Sequence, residues 1–301
     1  MPDFLDLKKA FDYNAMMQVI EKMTKSYDFL SFTSIGETLL GKCIPMLSIG
    51  EGEKEILYVA AHKATDWQDS LCLMKYLSEL GEFIKNRSQI YFYSSEYLYK
   101  TRTIHIIPML NPDGVDYSIN GLSEENPLYE RVMAMNDQSS DFSLWESNAR
   151  GVSLDKNYII ERQRVNKPKG AKESSFSDER EREGEWSESE LEVGSVCNLL
   201  RYNVNIKLIA SIYSNAEMDL CVVNSSSQLS EKKAKISQLF KRDTQSTNYE
   251  TGIKLKLGLS NWCDVNLSTS VVSVLNKVSS RDCFYKYIRL REGLFSLPML
   301  I

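Results

Sequence analysis

Apolar side chains recur at helical spacing over residues 13–27, where Met16, Met17, Val19, Ile20 and Met23 share one face and predict an amphipathic helix. A second is predicted over 69–84 from Leu71, Leu73, Met74, Leu77 and Leu80. Short apolar runs bounded by polar residues, at 43–49, 56–61, 103–110, 207–213 and 270–275, predict strands, most of them buried on both faces. Ser34-Ile35-Gly36-Glu37 reads as a turn, residues 50–54 as a tight loop, and Asn111-Pro112-Asp113-Gly114 as the turn that closes the third run. Residues 120–148 are expected as loop and helix over the surface. Residues 161–190 are polar and densely charged, with Pro168, Gly170 and Gly184, and predict a long exposed loop. A helix is expected to start at Ser187, with Ser187 as its cap and Glu190 three residues on. A last amphipathic helix is predicted over 282–295. Strands alternating with helices imply a mixed or mostly parallel sheet covered on both faces.

Composition narrows the function classes. The 301 residues suit one large α/β domain or two small ones, with no internal repeat and no clean linker. A net charge of -5 argues against a nucleic-acid or anionic-membrane surface, either of which needs basic excess. No apolar run reaches the roughly 18 residues of a membrane helix. The opening Met1-Pro2-Asp3-Phe4-Leu5-Asp6 has no basic stretch followed by an apolar one, so a cytoplasmic protein is expected. The six cysteines (Cys43, Cys72, Cys197, Cys221, Cys263, Cys283) contain no Cys-x-x-Cys, which predicts reduced, mostly buried thiols rather than a zinc ribbon.

Several segments then carry a likeness in a fixed order. They are Ser34-Ile35-Gly36, Leu40-Gly41-Lys42-Cys43-Ile44, Ala61-His62-Lys63-Ala64-Thr65-Asp66-Trp67, Asn111-Pro112-Asp113-Gly114-Val115-Asp116, residues 145–154, residues 184–190, and Gly258-Leu259-Ser260-Asn261-Trp262. In these the chain resembles the zinc carboxypeptidases of the carboxypeptidase A type, and most of all their bacterial γ-D-glutamyl-L-diamino-acid endopeptidases, which cut peptidoglycan stem peptides. The likeness spans nearly the whole chain, 1–301. It implies a single α/β domain with a mixed, mostly parallel eight-stranded sheet flanked by helices, and a site at the strand ends.

The resemblance also assigns roles, and several positions depart from them. A catalytic zinc of this kind takes two His and one carboxylate and leaves one position open for water. Counting back from Trp67, Lys63 stands at the first His position and Asp66 at the Glu position, with His62 one residue early. A one-residue step in extended chain turns a side chain to the other side. Tyr213 stands at the third ligand position, and a neutral phenol is a poor zinc ligand near pH 7. Leu275 stands at the general-base Glu, where it can neither take nor return a proton. Arg150 matches the arginine that polarises the scissile carbonyl. Asp155 and Lys156 replace the Asn-Arg/Asp pair that follows it, and Lys256 replaces the tyrosine over the bound peptide. Asp113, Gly114 and His105 are expected to be structural.

These departures imply a catalytically inactive relative, a pseudo-peptidase that keeps the fold as a peptide-binding or regulatory module, with no zinc expected although zinc is the family cofactor. Its partner would be a peptide, a cell-wall stem peptide or another protein. The alternative is an active metallocarboxypeptidase or stem-peptide endopeptidase with a rearranged zinc site, using His62, Asp66 or Glu217. Lys63 is expected to stand in for the metal's charge, paired with Asp66 near Tyr213.

Overall fold

The computed structural model describes residues 4–6, 8–90, 93–158, 184–203, 205–213, 222–223 and 270–275. Its strands are β1 Leu30–Glu37, β2 Cys43–Gly50, β3 Lys54–Val59, β4 Gln89–Ile90, β5 Tyr93–Ser94, β6 Arg102–Ile107, β7 Ile206–Tyr213, β8 Val222–Val223 and β9 Ser270–Leu275. Its helices are α1 Tyr13–Ser26, α2 Trp67–Lys85, α3 Ser95–Thr101, α4 Pro112–Asn120, α5 Tyr129–Met135 and α6 Leu191–Tyr202. Among the described residues seven strands form one mixed sheet in the order β1-β2-β6-β3-β7-β9-β8, and β4 with β5 makes a separate small hairpin. The β3–β6, β3–β7 and β7–β9 pairs are parallel, and the outer pairs are antiparallel.

Alternate residues of the central strands enter two different cores. Ile56, Tyr58, Ile104 and Ile106 pack with Met16, Ile20 and Met23 of α1 and Leu73, Met74 and Leu77 of α2. Leu57, Val59 and Ile107 pack on the other face with Val193, Val196, Cys197 and Leu200 of α6. That two-sided burial is why these strands are apolar without alternation. The α1 helix is started by Asp12, whose carboxylate accepts from the Ala15 amide at 2.8 Å. No described helix is long and apolar enough to cross a membrane. Among the described cysteines Cys43, Cys72 and Cys197 are free thiols.

Four local expectations are corrected. Ser34 to Glu37 lie within β1 and form no turn; the pairing slips between Ser34 and Gly36, leaving Ile35 as the extra residue of a bulge. Glycine at 36 answers a close approach, since a Cβ there would lie 2.0 Å from the Ser195 hydroxyl of α6. The Asn-Pro-Asp-Gly stretch is a helix start: Asn111 caps α4 by accepting from the Gly114 amide at 3.1 Å, and Pro112 opens the first turn. The α6 helix starts at Leu191 and not at Ser187, because Asn157 holds the preceding residues in a turn. It accepts from the Glu188 amide at 2.6 Å and the Glu190 amide at 3.0 Å, and donates to the Trp186 carbonyl at 2.9 Å. Residues 120–148 are not all superficial, since Val132, Met135, Phe142 and Trp145 form a third buried cluster with Ala64, Tyr117 and Ala149. The expected loop over 161–190 is described only from Gly184, and the helix expected over 282–295 lies outside the described residues.

Candidate functional site

Parallel strands end together, so the C-terminal ends of β3, β6, β7 and β9 lie at one end of the sheet. Val59 is in register with Ile107 on one side and Ser211 on the other, and Tyr213 is in register with Leu275. The backbone thus brings the third-ligand and general-base positions of the resemblance side by side at the strand ends. The 60–66 loop leaves β3 at the same end.

That loop is fixed by its backbone. Ala60 accepts from Leu110 and Ala61 from Asn111, each at 3.1 Å, and Ala61 has a φ of 50°, unusual for a residue with a Cβ. Asn111 then joins two loops, its amide donating to the carbonyls of His62 and Ser147 at 3.2 Å each. The Ala64 amide donates to the Glu146 carbonyl at 3.0 Å, which locks residues 145–150 against 60–66. Gly114 must be glycine here, because a Cβ would sit 2.2 Å from the Ser147 carbonyl oxygen. Asp113 is fully buried and pairs with Lys42 at 3.2 Å, a packing role.

Within this frame His62 is buried, with Nε2 3.0 Å from the Tyr158 hydroxyl. Lys63 forms its ion pair with Glu146. This corrects the expected Lys63–Asp66 pair: Asp66, buried at the N-cap of α2, acts on Lys63 only as a nearby charge, beside Asp155. Burial by itself would lower the Lys63 pKa, but the Glu146 bond and the charges of Glu146, Asp155 and Asp66 outweigh it and raise it. Lys63 therefore keeps its charge through neutral pH and gives it up only as pH rises past the ordinary lysine range. Lys63→Ala should cost about 1 kcal/mol in chemical denaturation, and much of that loss should vanish in a Glu146→Ala background.

Arg150 sits four positions beyond Glu146, in a turn built by Asn148. The Asn148 side-chain oxygen accepts from the Arg150 and Val152 amides, both at 3.0 Å, and Gly151 supplies a φ of 76°. The guanidinium of Arg150 lies 3.3 Å from Glu185 and 3.8 Å from Glu190. Asp155 is buried and accepts from the Ser153 hydroxyl at 2.6 Å, and Lys156 closes the same short turn. Lys256, Glu217 and the side chains of Tyr213 and Leu275 lie outside what is described.

His105 belongs elsewhere. Its Nδ1 is 2.7 Å from the Ser48 hydroxyl and its Nε2 2.9 Å from Glu55, whose carboxylate also accepts from Asn203 at 2.6 Å. Glu55 lies at the beginning of β3, one residue after Lys54, so this network fastens the end of α6 at the opposite end of the strands.

Sequence reasoning missed Glu146 and Glu192 and gave Glu190 only a helix-capping place. Glu190 is buried and accepts from the Asn148 amide at 2.7 Å, and Glu192 is buried beside it. Nothing in local periodicity marks Glu146, and an apolar Leu191 between Glu190 and Glu192 predicts the reverse of what is found, since Leu191 is exposed and both acids are buried.

Residues 16–272 match the family model described as zinc carboxypeptidase. The gamma-D-glutamyl-L-diamino acid endopeptidase 1 of Lysinibacillus sphaericus is 36% identical over 147 residues, 49% of this chain and 37% of that protein. The chain matches well under half the length of its curated relatives. Among solved structures, thrombin activatable fibrinolysis inhibitor aligns over 100% of this chain and 78% of its own, with a TM-score of 0.70 and 16% identity. Murein-tripeptide amidase MpaA from Escherichia coli O157 aligns over 88% of this chain and 91% of its own, with a TM-score of 0.50 and 17% identity. At such identities the two structures speak for the fold.

Proposed function

The chain belongs to the zinc carboxypeptidase family, and from that premise we propose that it is a pseudo-peptidase, a member that keeps the family's peptide-binding frame while its metal centre has been replaced. The observation that carries this is the Lys63–Glu146 ion pair at the first ligand position. A protonated ammonium has no lone pair to give a metal, and its charge repels one. The nearest imidazole, His62, has Nε2 engaged by the Tyr158 hydroxyl. The described residues at the first ligand position therefore do not fit the family's zinc.

What remains suits binding. Arg150 stands in a rigid turn at the site edge, one-third exposed or less, with its carboxylate partners Glu185 and Glu190 at 3.3 and 3.8 Å. An incoming carboxylate on a peptide, such as a cell-wall stem peptide, would compete with Glu185, whose side chain is 62% exposed. Asp155 and Lys156 line the same turn and would contact the ligand's backbone.

The likeness to a named endopeptidase favours a second reading, an active stem-peptide endopeptidase with a rearranged zinc site. One experiment separates the two. Purified protein is incubated with excess zinc, freed of loose metal and assayed by elemental mass spectrometry. The same sample is offered a synthetic stem tripeptide for both hydrolysis and calorimetric binding. Near-zero zinc, intact peptide and binding weakened at least tenfold in Arg150→Ala are expected. One tightly held zinc per chain, with hydrolysis that a chelator stops, overturns the pseudo-peptidase.

A further inference from the structure

Two buried carboxyl groups converge on a single amide. The Asn148 NH2 donates to Glu190 Oε2 at 2.7 Å and to Glu192 Oε2 at 3.4 Å. Both acids are at least 98% shielded from solvent. Glu190 is well supplied for a negative charge: its other oxygen accepts from the Ser189 hydroxyl at 2.7 Å and faces Arg150 at 3.8 Å. Glu192 is not, since its Oε1 has no hydrogen-bond partner among the described residues. Among the described residues the groups facing Glu192 are few, and they include its own backbone amide, which favours the ionised form but is outweighed by burial. Its own segment contributes Glu190, and α4 contributes Asp113, which is itself paired with Lys42. The 148–152 turn contributes neutral Asn148, with Arg150 beyond Glu190. Two buried carboxylates cannot both ionise cheaply around one shared side-chain donor with a third acid nearby.

We infer that Glu192 is a positioning residue that carries the one proton of this carboxyl pair, and that this proton holds the Asn148 turn, and with it Arg150, in place. When Glu192 is neutral, Asn148 binds Glu190 through its NH2 and the Arg150 and Val152 amides through its oxygen. When Glu192 ionises, repulsion falls on the Asn148 clamp, and the two backbone amides that depend on it are the first to move. Burial, then the charges of Glu190 and Asp113, push the Glu192 pKa up to about 7, so the change falls at neutral pH. The proton itself does not depend on what Arg150 binds; its effect on ligand rests on Arg150 gripping a carboxylate, as proposed above.

The test follows protein labelled with 13C-glutamate and 15N by NMR from about pH 5 to about pH 9. One carboxyl, assigned by its disappearance in Glu192→Gln, is expected to titrate near neutrality, and the Arg150 and Val152 amide shifts should follow the same midpoint. In Glu192→Gln those amide shifts should be flat. If that variant does not fold, the coincidence of the midpoints in the parent decides alone. A Glu192 that titrates in the ordinary carboxylate range, or Arg150 and Val152 amides that ignore its titration, overturns the inference. Binding of the synthetic stem tripeptide should weaken about tenfold over the same window in the parent and stay constant in Glu192→Gln. Failure of the tripeptide to bind at any pH would count against the peptide-binding reading and leave the NMR result to decide the proton.

Discussion

Near pH 8 the Glu192→Gln protein should be more stable than its parent by roughly 3 kcal/mol, and the two should converge below about pH 4.5. The sign follows from which state holds the proton. Burial first, and the nearby charges of Glu190 and Asp113 next, raise the Glu192 pKa from 4.5 to about 7 in the folded chain. Between those two values the folded protein keeps a proton that the unfolded chain has released. Folding therefore takes up a proton, and stability falls as pH rises through the window. Above about 7 the cost is complete, because folding must then bury an ionised carboxylate. Glutamine has the same shape and no charge to bury, so its stability lacks this dependence. Urea denaturation of both proteins at matched pH values measures the gap. A gap that is constant from acid to alkaline pH would mean that Glu192 has the same pKa in the folded and the unfolded chain, so that burial and its acid neighbours do not raise it.

The fold was legible wherever one residue's environment is decided by its neighbours in sequence. Both long helices and the five principal apolar runs were visible because their faces are set by the local period. The mixed sheet between helix layers followed from their alternation. The errors fall where a distant part of the chain sets the local form. Gly36 looks like a turn residue because glycine usually is one; here α6 passes too close for any side chain. Ser187 and Glu190 have capping-box spacing, but Asn157 takes the backbone of that stretch, and Glu190 turns inward to Asn148 and Arg150. The site shows the same division. The resemblance assigns Lys63 and Asp66 to metal positions by counting from Trp67, and Tyr213 and Leu275 to theirs by counting along two strands. The backbone registers those last two side by side. The partner of Lys63 could not be found this way, because Glu146 is 83 residues away. An Asp three residues distant was the nearer guess; the Ala64–Glu146 backbone bond decides for the far one.

Trp145→Ala should be the most damaging single change near the site, with a loss of about 3–5 kcal/mol. Trp145 is fully buried and anchors the third core with Tyr117, Val132, Met135 and Phe142. Its ring lies 5.7 Å from that of Phe142 and 6.4 Å from that of Tyr117. This cluster also includes Ala64 and Ala149, the neighbours in sequence of Lys63 and Arg150. A cavity under Trp145 therefore opens between the two charged halves of the site, so the Lys63–Glu146 pair and the Asn148 turn should loosen together. Trp145→Phe gives the control. It keeps an aromatic ring for Phe142 and Tyr117, and it gives up an indole N–H that has no acceptor among the described residues. The phenylalanine variant should thus lose less than half of what alanine loses, and the Arg150 and Val152 amides should keep their parent shifts. Equal losses in the two variants would mean that the indole N–H, and not the filled volume, holds this part of the frame together.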